Sequence, residues 1–543
     1  MKKMLFVIFS ENMNYGVSTL ANLALENNWD PNILFVPNDA ETNFVANYLA
    51  DFPADMVGFS FTTYKRNLAF KVAAPLRKLH LTTVAGGIHP TVATQDVLNS
   101  GLFDIVVKGD GMGVLSDILN RQGQQKTIVI NGRPLAQREA YTKRYFSPSQ
   151  LETIQERGVF PLLSSIGCPF KCHYCFNGAS AFFHLPLDAI ISEINQVCRH
   201  NDITTLSIYD EVFATNADKI ASFHKELTHS GHINFNFENI QCHASLFNDR
   251  IAEEMCRMGI KTANMGIETL SPKLLSFLNK KQTPEDIYQA AEICRKFGLR
   301  FMPNILLGIP TQDREDYELT YEFIQKVKPE SLTVYYFTPY PGSYLFDYCF
   351  DHGFMQPTWD RQNFDWFVQS NEGHRSLAFT LKGVDYELMN EYDTKIRQWQ
   401  LSNCGRELLL KKMELIDKLP WAIIGNSLSS FFSDILKYLS MKLWNNCCGF
   451  IDLYPDGRFG LADSDSHRFS LYDSAKSNTP QWFVTTYSPV EGSDWHRHYK
   501  PYIQNKFGAQ TSLISISTFS NNPHDLDYIS NIYNELIKRP SST

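Results

Sequence analysis

Residues 1–167 contain no cysteine, although the chain of 543 residues has 11. A region without thiols can hold no thiolate-bound cluster of its own. Long hydrophobic runs are missing too: nothing approaches the ~18 apolar residues of a membrane helix. Met1–Ser10 superficially resembles a short signal peptide, but its apolar stretch is only Leu5–Phe9, and Glu11 and Asn12 follow at once. A first β-strand is expected there instead. An excess of positive charge is also absent: 50 Lys and Arg against 58 Asp and Glu give a net charge of −8, which speaks against nucleic acid as a main partner. Without an export signal or a transmembrane segment, the expected setting is cytoplasmic and the thiols are expected to be reduced. No second cysteine group has cluster-like spacing. After Cys175 come single residues, Cys198, Cys242, Cys256, Cys294, Cys349 and Cys404, then Cys447–Cys448. These read as small core residues.

What is present is a triplet. Cys168-Pro-Phe-Lys-Cys172-His-Tyr-Cys175 has CxxxCxxC spacing. Three thiolates on one short loop can hold three irons of a [4Fe–4S] cube and leave the fourth iron open to a ligand. The alternative is three structural or zinc-binding cysteines, but a zinc site wants four ligands and usually joins two Cys-rich loops. His173 and Tyr174 lie inside the loop and are expected to shape and shield it.

Upstream, apolar runs alternate with helical stretches. Strands are expected at Lys3–Phe9, Asn32–Val36, Asp55–Ser60, Thr82–Ala85 and Asp104–Lys108, and helices at Gly16–Glu26, Thr42–Leu49 and Asn67–Leu79. This βα alternation predicts a parallel, doubly wound, Rossmann-like sheet, with ligands at the carboxyl ends of its strands. Those ends carry Ser10–Tyr15, Ser60–Tyr64, Gly86–Thr91 and Gly109–Gly111. Downstream, six strands begin at Phe160, Thr205, Ile233, Thr262, Arg300 and Ser331, each but the last followed by a helix.

These residues carry a resemblance. The cysteine triplet resembles the signature of the radical S-adenosylmethionine (SAM) superfamily, and the six βα units resemble its partial (β/α)6 barrel. Val84–Thr91 and Asp104–Gly111 resemble the cobalamin-binding domain of class B radical SAM enzymes, with Asp110 where Glu is usual. The resemblance implies a [4Fe–4S] cluster on Cys168, Cys172 and Cys175. It implies SAM contacts at Phe176, Tyr209, Asp210, Glu211, Glu268 and Gly308. It implies cobalamin contacts at Ser10, Asn12, Tyr15, Ser60, Thr62, Thr63, Tyr64, Arg66, Gly86, Gly87, His89, Gly109, Asp110 and Gly111. The segments around Tyr209–Phe213, Met265–Thr269, Leu306–Thr311 and Pro339–Ser343 resemble the family's D-D-x-F, G-x-E-S, G-x-P-G-E and P-x-P-G-T motifs. Thr269 replaces Ser, and Thr311-Gln312 replaces Gly-Glu. No DxHxxG motif supplies an axial histidine, so Tyr64, Lys65 and Arg66 are the side chains placed to approach the lower face of the corrin.

The organisation expected is a cobalamin-binding domain (1–135), a linker (136–158), a radical SAM partial barrel (159–350), an aromatic and helical connector (351–412) and a small α/β domain (413–543). In the connector, Trp359, Phe364, Trp366 and Phe367 are placed to cap the barrel or to pack as a linker. In the last region, Tyr386–Met413 reads as a helix, and Trp421–Gly425, Gly449–Tyr454, Trp482–Tyr487 and Ser512–Ser517 as strands. Gly425-Asn426-Ser427 has the form of a helix N-cap or an anion cradle.

The implied activity is methyl transfer to an unactivated carbon. A 5′-deoxyadenosyl radical removes a substrate hydrogen, methylcobalamin delivers the methyl group, and the cofactors carry the hard chemistry. Rearrangement or oxidative cyclisation without methyl transfer is the alternative, and a non-catalytic cobalamin- or SAM-sensing module is a third. A methylthiotransferase would need three further cysteines in the first domain. The implied partners are a small-molecule or natural-product substrate and an external electron donor of the flavodoxin or ferredoxin type.

Overall fold

The computed structural model describes residues 1–9, 14–38, 40–123, 126–176, 181–199, 202–231, 235–368 and 380–403, together with strands at 421–425, 447–453, 459–460, 482–485 and 512–515. Two compact units emerge, Met1–Thr394 and Lys395–Thr543. Ser10 and Asn12 lie outside the described residues, as do Asn426 and Ser427.

The chain opens with β1 (Lys2–Ile8), α1 (Tyr15–Glu26), β2 (Trp29–Phe35), α2 (Phe44–Asp51), β3 (Met56–Ser60), α3 (Arg66–Ala73) and β4 (Thr82–Gly86). Two short helices, α4 (Ile88–Val92) and α5 (Thr94–Ser100), precede β5 (Ile105–Lys108), then α6 (Leu115–Leu119) and β6 (Ile128–Asn131). All pairings are parallel, in the order β2-β1-β3-β4-β5-β6. β1 is a continuous buried run, Met4 to Ile8, as a strand covered on both faces requires. The strand order reverses between β1 and β3, and the crevice at their carboxyl ends is the topological switch point where such sheets bind ligands. β6 and the helices α4, α5 and α6 were not anticipated. They are only four to seven residues long, too short to give a periodic signal.

The stretch anticipated as a linker contains α7 (Pro148–Arg157), begun by a Ser147–Gln150 capping box. The second sheet follows as β7 (Val159–Leu162), the hairpin β8 (Ser165–Ile166) and β9 (Phe183–His184), α8 (Leu187–Cys198), β10 (Thr205–Ile208) and α9 (Ala217–His229). β11 (Asn236–Glu238) and β12 (Gln241–Cys242) are one broken strand. Asn239 between them has φ 58°, and its side chain donates to Ser207 Oγ at 2.6 Å. The uninterrupted strand expected at Ile233–Ile240 therefore ends early and resumes.

α10 (Asp249–Arg257), β13 (Thr262–Glu268), α11 (Pro272–Phe277), α12 (Pro284–Phe297), β14 (Arg300–Leu307), α13 (Arg314–Val327) and β15 (Thr333–Tyr336) complete the βα series. The parallel orders are β11-β10-β7 and β12-β13-β14-β15, joined through the broken strand. Capping boxes at Thr283 and Asp313 start α12 and α13.

α14 (Tyr344–Asp351) and α15 (Asp365–Val368) follow. Phe364 and Phe367 are buried in one cluster with Leu306, Phe337 and Phe346 of the barrel, and Tyr64, Val92 and Ala93 of the first domain join it. The aromatic connector thus packs against both domains. The turn at Gly342 makes the same junction: at φ 85°, a Cβ there would stand 2.4 Å from Val92 Cγ1, so only glycine fits. α16 (Tyr386–Asn403) ends the helical part.

In the second unit, β16 (Trp421–Gly425), β17 (Cys447–Leu453), β18 (Phe459–Gly460), β19 (Trp482–Thr485) and β20 (Ser512–Ser515) form a sheet in the order β18-β17-β16-β19-β20. Only the β17–β18 pairing is antiparallel.

Candidate cofactor and substrate site

The cysteine loop is bracketed by the β8–β9 hairpin. At its entry Gly167 has φ 75°, and a Cβ there would lie 2.4 Å from the Ala181 carbonyl oxygen. From outside, the His173 amide donates to Leu278 O at 2.9 Å, the Leu345 amide to His173 O at 2.9 Å, and Asn279 Nδ2 to Lys171 O at 2.6 Å. Cys168, Cys172 and Cys175 are free thiols, each partly exposed. Burial pushes the thiols of Cys168 and Cys172 up, and the Lys280 ammonium pulls both down.

The donor set suits a cubane: three thiols on one anchored loop. Among the described residues no three His, Cys, Asp or Glu side chains converge on the position of a single ion. Thiolates of a cubane bind different irons and need not converge.

One cavity of about 560 Å³ adjoins this loop. Cys175 and Phe176 reach it from the loop, and Gln241, Glu268, Asn304, Leu306 and Tyr336 from the barrel strands. From the first domain, Thr62, Thr63, Tyr64 and Ile88 line the same cavity. The carboxyl ends of β3 and β4 and the cysteine loop therefore open on one space. Tyr64 donates to Tyr340 Oη at 3.1 Å, and burial pushes its phenol up to about 12.

Several expected contacts are engaged elsewhere. Asp210 is 2% exposed. It accepts from the Ser164 amide and from the hydroxyls of Ser164 and Ser165, each at 2.6 Å. It does not line the cavity but ties β10 to the strand entering the cysteine loop. Burial raises its carboxyl above the usual range. Glu211 beside it is exposed, and its charge acts on Cys168. Tyr209, 44% exposed, packs on Tyr15 at 5.5 Å between ring centroids. Tyr15 also lies under the Arg144 guanidinium at 4.8 Å. Both tyrosines thus stand at the seam between the domains rather than at a cofactor face. Gly308 shapes a turn: its amide donates to Gln312 Oε1 at 2.9 Å, and its φ is 77°. Gln312 fills the place of the family's Glu as a cap.

In the first domain Arg66 does not face the crevice. Its Nε and Nη2 donate to the two oxygens of Asp96 at 2.7 and 2.8 Å. Lys65 donates to Asn38 Oδ1 at 2.6 Å. His89 is fully buried, with Nε2 2.9 Å from Asp96 Oδ2 and Nδ1 3.2 Å from Thr63 Oγ1. Burial lowers its pKa, against the pull of Asp96. Of the three side chains expected below the corrin, only Tyr64 reaches the cavity. Asp110 also turns inward: it accepts from Tyr141 Oη at 2.9 Å and from the Met112 amide at 2.9 Å.

The glycines keep their anticipated place at strand ends. Gly87, φ 94°, packs where a Cβ would be 2.9 Å from the Phe61 amide nitrogen, close to Ser60 Oγ. Thr91 joins two of the turns, donating to Gly87 O at 2.7 Å and accepting from the Gly109 amide at 3.0 Å. Gly86 follows Ala85 on β4, and Gly111 packs against Val107 and Leu20.

The sequence reading missed Lys280, Gln241, Asn304, Tyr335, Tyr336 and Thr338. Asn304 had a signal, a polar residue inside the apolar strand Arg300–Leu307. Lys280 had none, since its partners lie in other elements.

Comparison with known proteins agrees with this architecture. The B12 binding domain matches residues 1–119 and the Radical SAM superfamily residues 162–324. An uncharacterised methyltransferase of Pyrococcus horikoshii is 25% identical over 358 residues, 62% of this chain and 78% of that one. Bacteriochlorophyllide d C-8(2)-methyltransferase of Chlorobaculum tepidum is 22% identical, covering 68% and 81%. Among solved structures, the radical SAM methyltransferase TsrM of Kitasatospora setae matches with TM-score 0.55 at 16% identity, over 66% of this chain and 79% of its own. The cobalamin-dependent radical SAM enzyme OxsB matches with TM-score 0.59 at 14% identity, over 81% and 71%. With a B12-binding domain ahead of a radical SAM domain, the chain belongs to the cobalamin-dependent radical SAM enzymes, whose cofactors are a [4Fe–4S] cluster, SAM and cobalamin.

Proposed function

We propose that this enzyme is a methyltransferase acting on an unactivated carbon of a small, largely apolar molecule. The observation that carries the reading is the single cavity lined by Cys175 and Phe176 on one side and by Thr62, Thr63, Tyr64 and Ile88 on the other. When bound, SAM on the cluster supplies a hydrogen-abstracting radical, and cobalamin carries the methyl group. The cysteine loop would hold the cluster through Cys168, Cys172 and Cys175, and Phe176 would shield it from water. Glu268, which lines the cavity, and the exposed Glu211 would be the carboxylates to meet the SAM ammonium, since Asp210 already accepts from serine donors. Tyr335, Tyr336, Phe337 and Tyr340 give the cavity apolar walls, which favours an uncharged reacting portion of the substrate. Methyltransferases among the relatives support the same reading.

A cyclase of Rubrivivax gelatinosus, 21% identical over 338 residues, is the observation behind a second reading, oxidative cyclisation without methyl transfer. Among the described residues no helix is long and apolar enough to cross a membrane. A cytoplasmic setting and a flavodoxin- or ferredoxin-type electron donor accompany the proposal.

Anaerobic reconstitution with iron, sulfide and cobalamin, followed by incubation with methyl-labelled SAM and a metabolite extract, tests it. A product heavier by one labelled CH₂ is the expected result. SAM consumption with no labelled product would favour cyclisation, and absorption spectra without bound cobalamin would overturn the reading.

A further inference from the structure

Behind the cysteine loop is a buried charge pair that the proposed chemistry does not use in full. Lys280 follows α11, and its side chain and that of Glu268 are each 9% exposed. Lys280 Nζ donates to Glu268 Oε1 at 2.9 Å and to Tyr174 Oη at 3.1 Å, and Tyr174 Oη donates to the same Oε1 at 2.8 Å. Tyr174 stands between Cys172 and Cys175 in sequence, so the network grips the loop from within. The fold makes room for the pair. A Cβ on Gly266 would stand 2.5 Å from Glu268 Oε1 and 2.9 Å from Lys280 Nζ. Glu268 itself takes φ 64°, unusual for a residue with a side chain.

The pair is not neutral toward the sulfurs. The Lys280 charge acts on both Cys168 and Cys172, while Glu268 opposes it at Cys172. An ammonium paired with one carboxylate thus lies buried against the loop that carries the three cysteines. Reduction of a cubane adds one electron and one unit of negative charge. Potentials of such clusters respond to nearby charge and to hydrogen bonds toward the sulfurs.

We propose that Lys280 sets the reduction potential of the cluster: its buried ammonium favours the reduced, more negative form, and Glu268 moderates it from the opposite side. Lys280 is a tuning residue, not a catalytic one. It raises the share of cluster that a low-potential one-electron donor can reduce. The inference rests on the cluster being held by the cysteine loop.

The test is an anaerobic redox titration with dithionite and mediators, read by electron paramagnetic resonance, on reconstituted protein without SAM. Iron and sulfide are quantified for each variant. Lys280→Met is expected to shift the reduction equilibrium about tenfold toward the oxidised form, which is about 59 mV for one electron. Glu268→Gln is expected to shift it in the opposite direction, and Lys280→Arg to stay within about threefold of the parent. If Lys280→Met fails to load, the sign of Glu268→Gln still decides, with Lys280→Arg as the charge-conserving control. A loaded cluster whose potential ignores Lys280→Met or Glu268→Gln, or moves the same way in both, overturns the proposal alone. A parent chain without iron overturns the cluster assignment and the proposal with it.

Discussion

Replacing Arg144 by Met tests how the two cofactor domains are held together. Arg144 is 2% exposed and pairs through Nε with Glu193, itself 6% exposed. Its Nη2 donates to Pro161 O at 3.3 Å. The guanidinium lies over Tyr15 at 4.8 Å, Phe160 at 5.3 Å and Phe146 at 5.7 Å. One side chain thus joins α1, β7 and α8. Arg144→Met keeps most of the volume but strands the Glu193 carboxylate in the interior, and breaking a buried pair in this way costs about 3–5 kcal/mol. The double variant Arg144→Met/Glu193→Leu removes both charges and is expected within about 1 kcal/mol of the parent, because apolar replacement of a buried pair is often neutral. Adding Glu193→Leu to Arg144→Met should therefore recover about 2–4 kcal/mol of the loss.

Urea unfolding of the cofactor-free chain at pH 7.5 measures each value. The sign with pH adds a second arm. Burial already raises the Glu193 carboxyl, and Arg144 pulls it down, so the single variant raises it further. A folded pKa above the unfolded one makes the penalty largest at high pH and smaller as pH falls toward the unfolded value. The deficit of Arg144→Met therefore narrows between pH 7.5 and pH 5. A deficit under about 1 kcal/mol, or a double variant as unstable as the single one, would refute the reasoning.

Three further outcomes are expected. His243 has Nε2 3.0 Å from Lys280 O and stacks on Phe170 at 3.7 Å, and burial holds its pKa at about 3. It stays neutral in the fold, so its contribution is complete above about pH 6.5 and shrinks as pH falls. About 2 kcal/mol is lost between pH 7 and pH 5, read by hydrogen exchange of the cysteine-loop peptides; His243→Phe with the same pH slope would contradict this. Gly266→Ala pushes a methyl into the Lys280–Glu268 pair and should cost about 1–3 kcal/mol, so an unchanged melting temperature would count against the packing described. Cys175→Ser should lose iron and the cluster's visible absorption while retaining the cobalamin spectrum, and retention of a full iron complement would exclude Cys175 as a ligand.

Much of the architecture was legible in advance because it is written locally. β14 and α12 run over the anticipated residues, Arg300–Leu307 and Pro284–Phe297, since each has a clear apolar period and a sharp capping or breaking residue. β16 does likewise at Trp421–Gly425. The broken strand at Asn239 was not legible, because a single residue at positive φ leaves no periodic trace. Nor were the partners of charged residues. Asp210 and Asp110 are expected cofactor contacts from motif position, and Arg66 from its place after β3. They are consumed by Ser164 and Ser165, by Asp96, and by Tyr141, which lie 46, 45, 30 and 31 residues away.

The sequence by itself determined the cysteine triplet and the run of βα units, because loop closure over eight residues and strand periodicity are short-range physics. Only the tertiary structure decided which polar groups remain for ligands and that two domains share one cavity. A buried carboxylate must find donors wherever the fold brings them, and a cavity exists only where distant surfaces fail to meet.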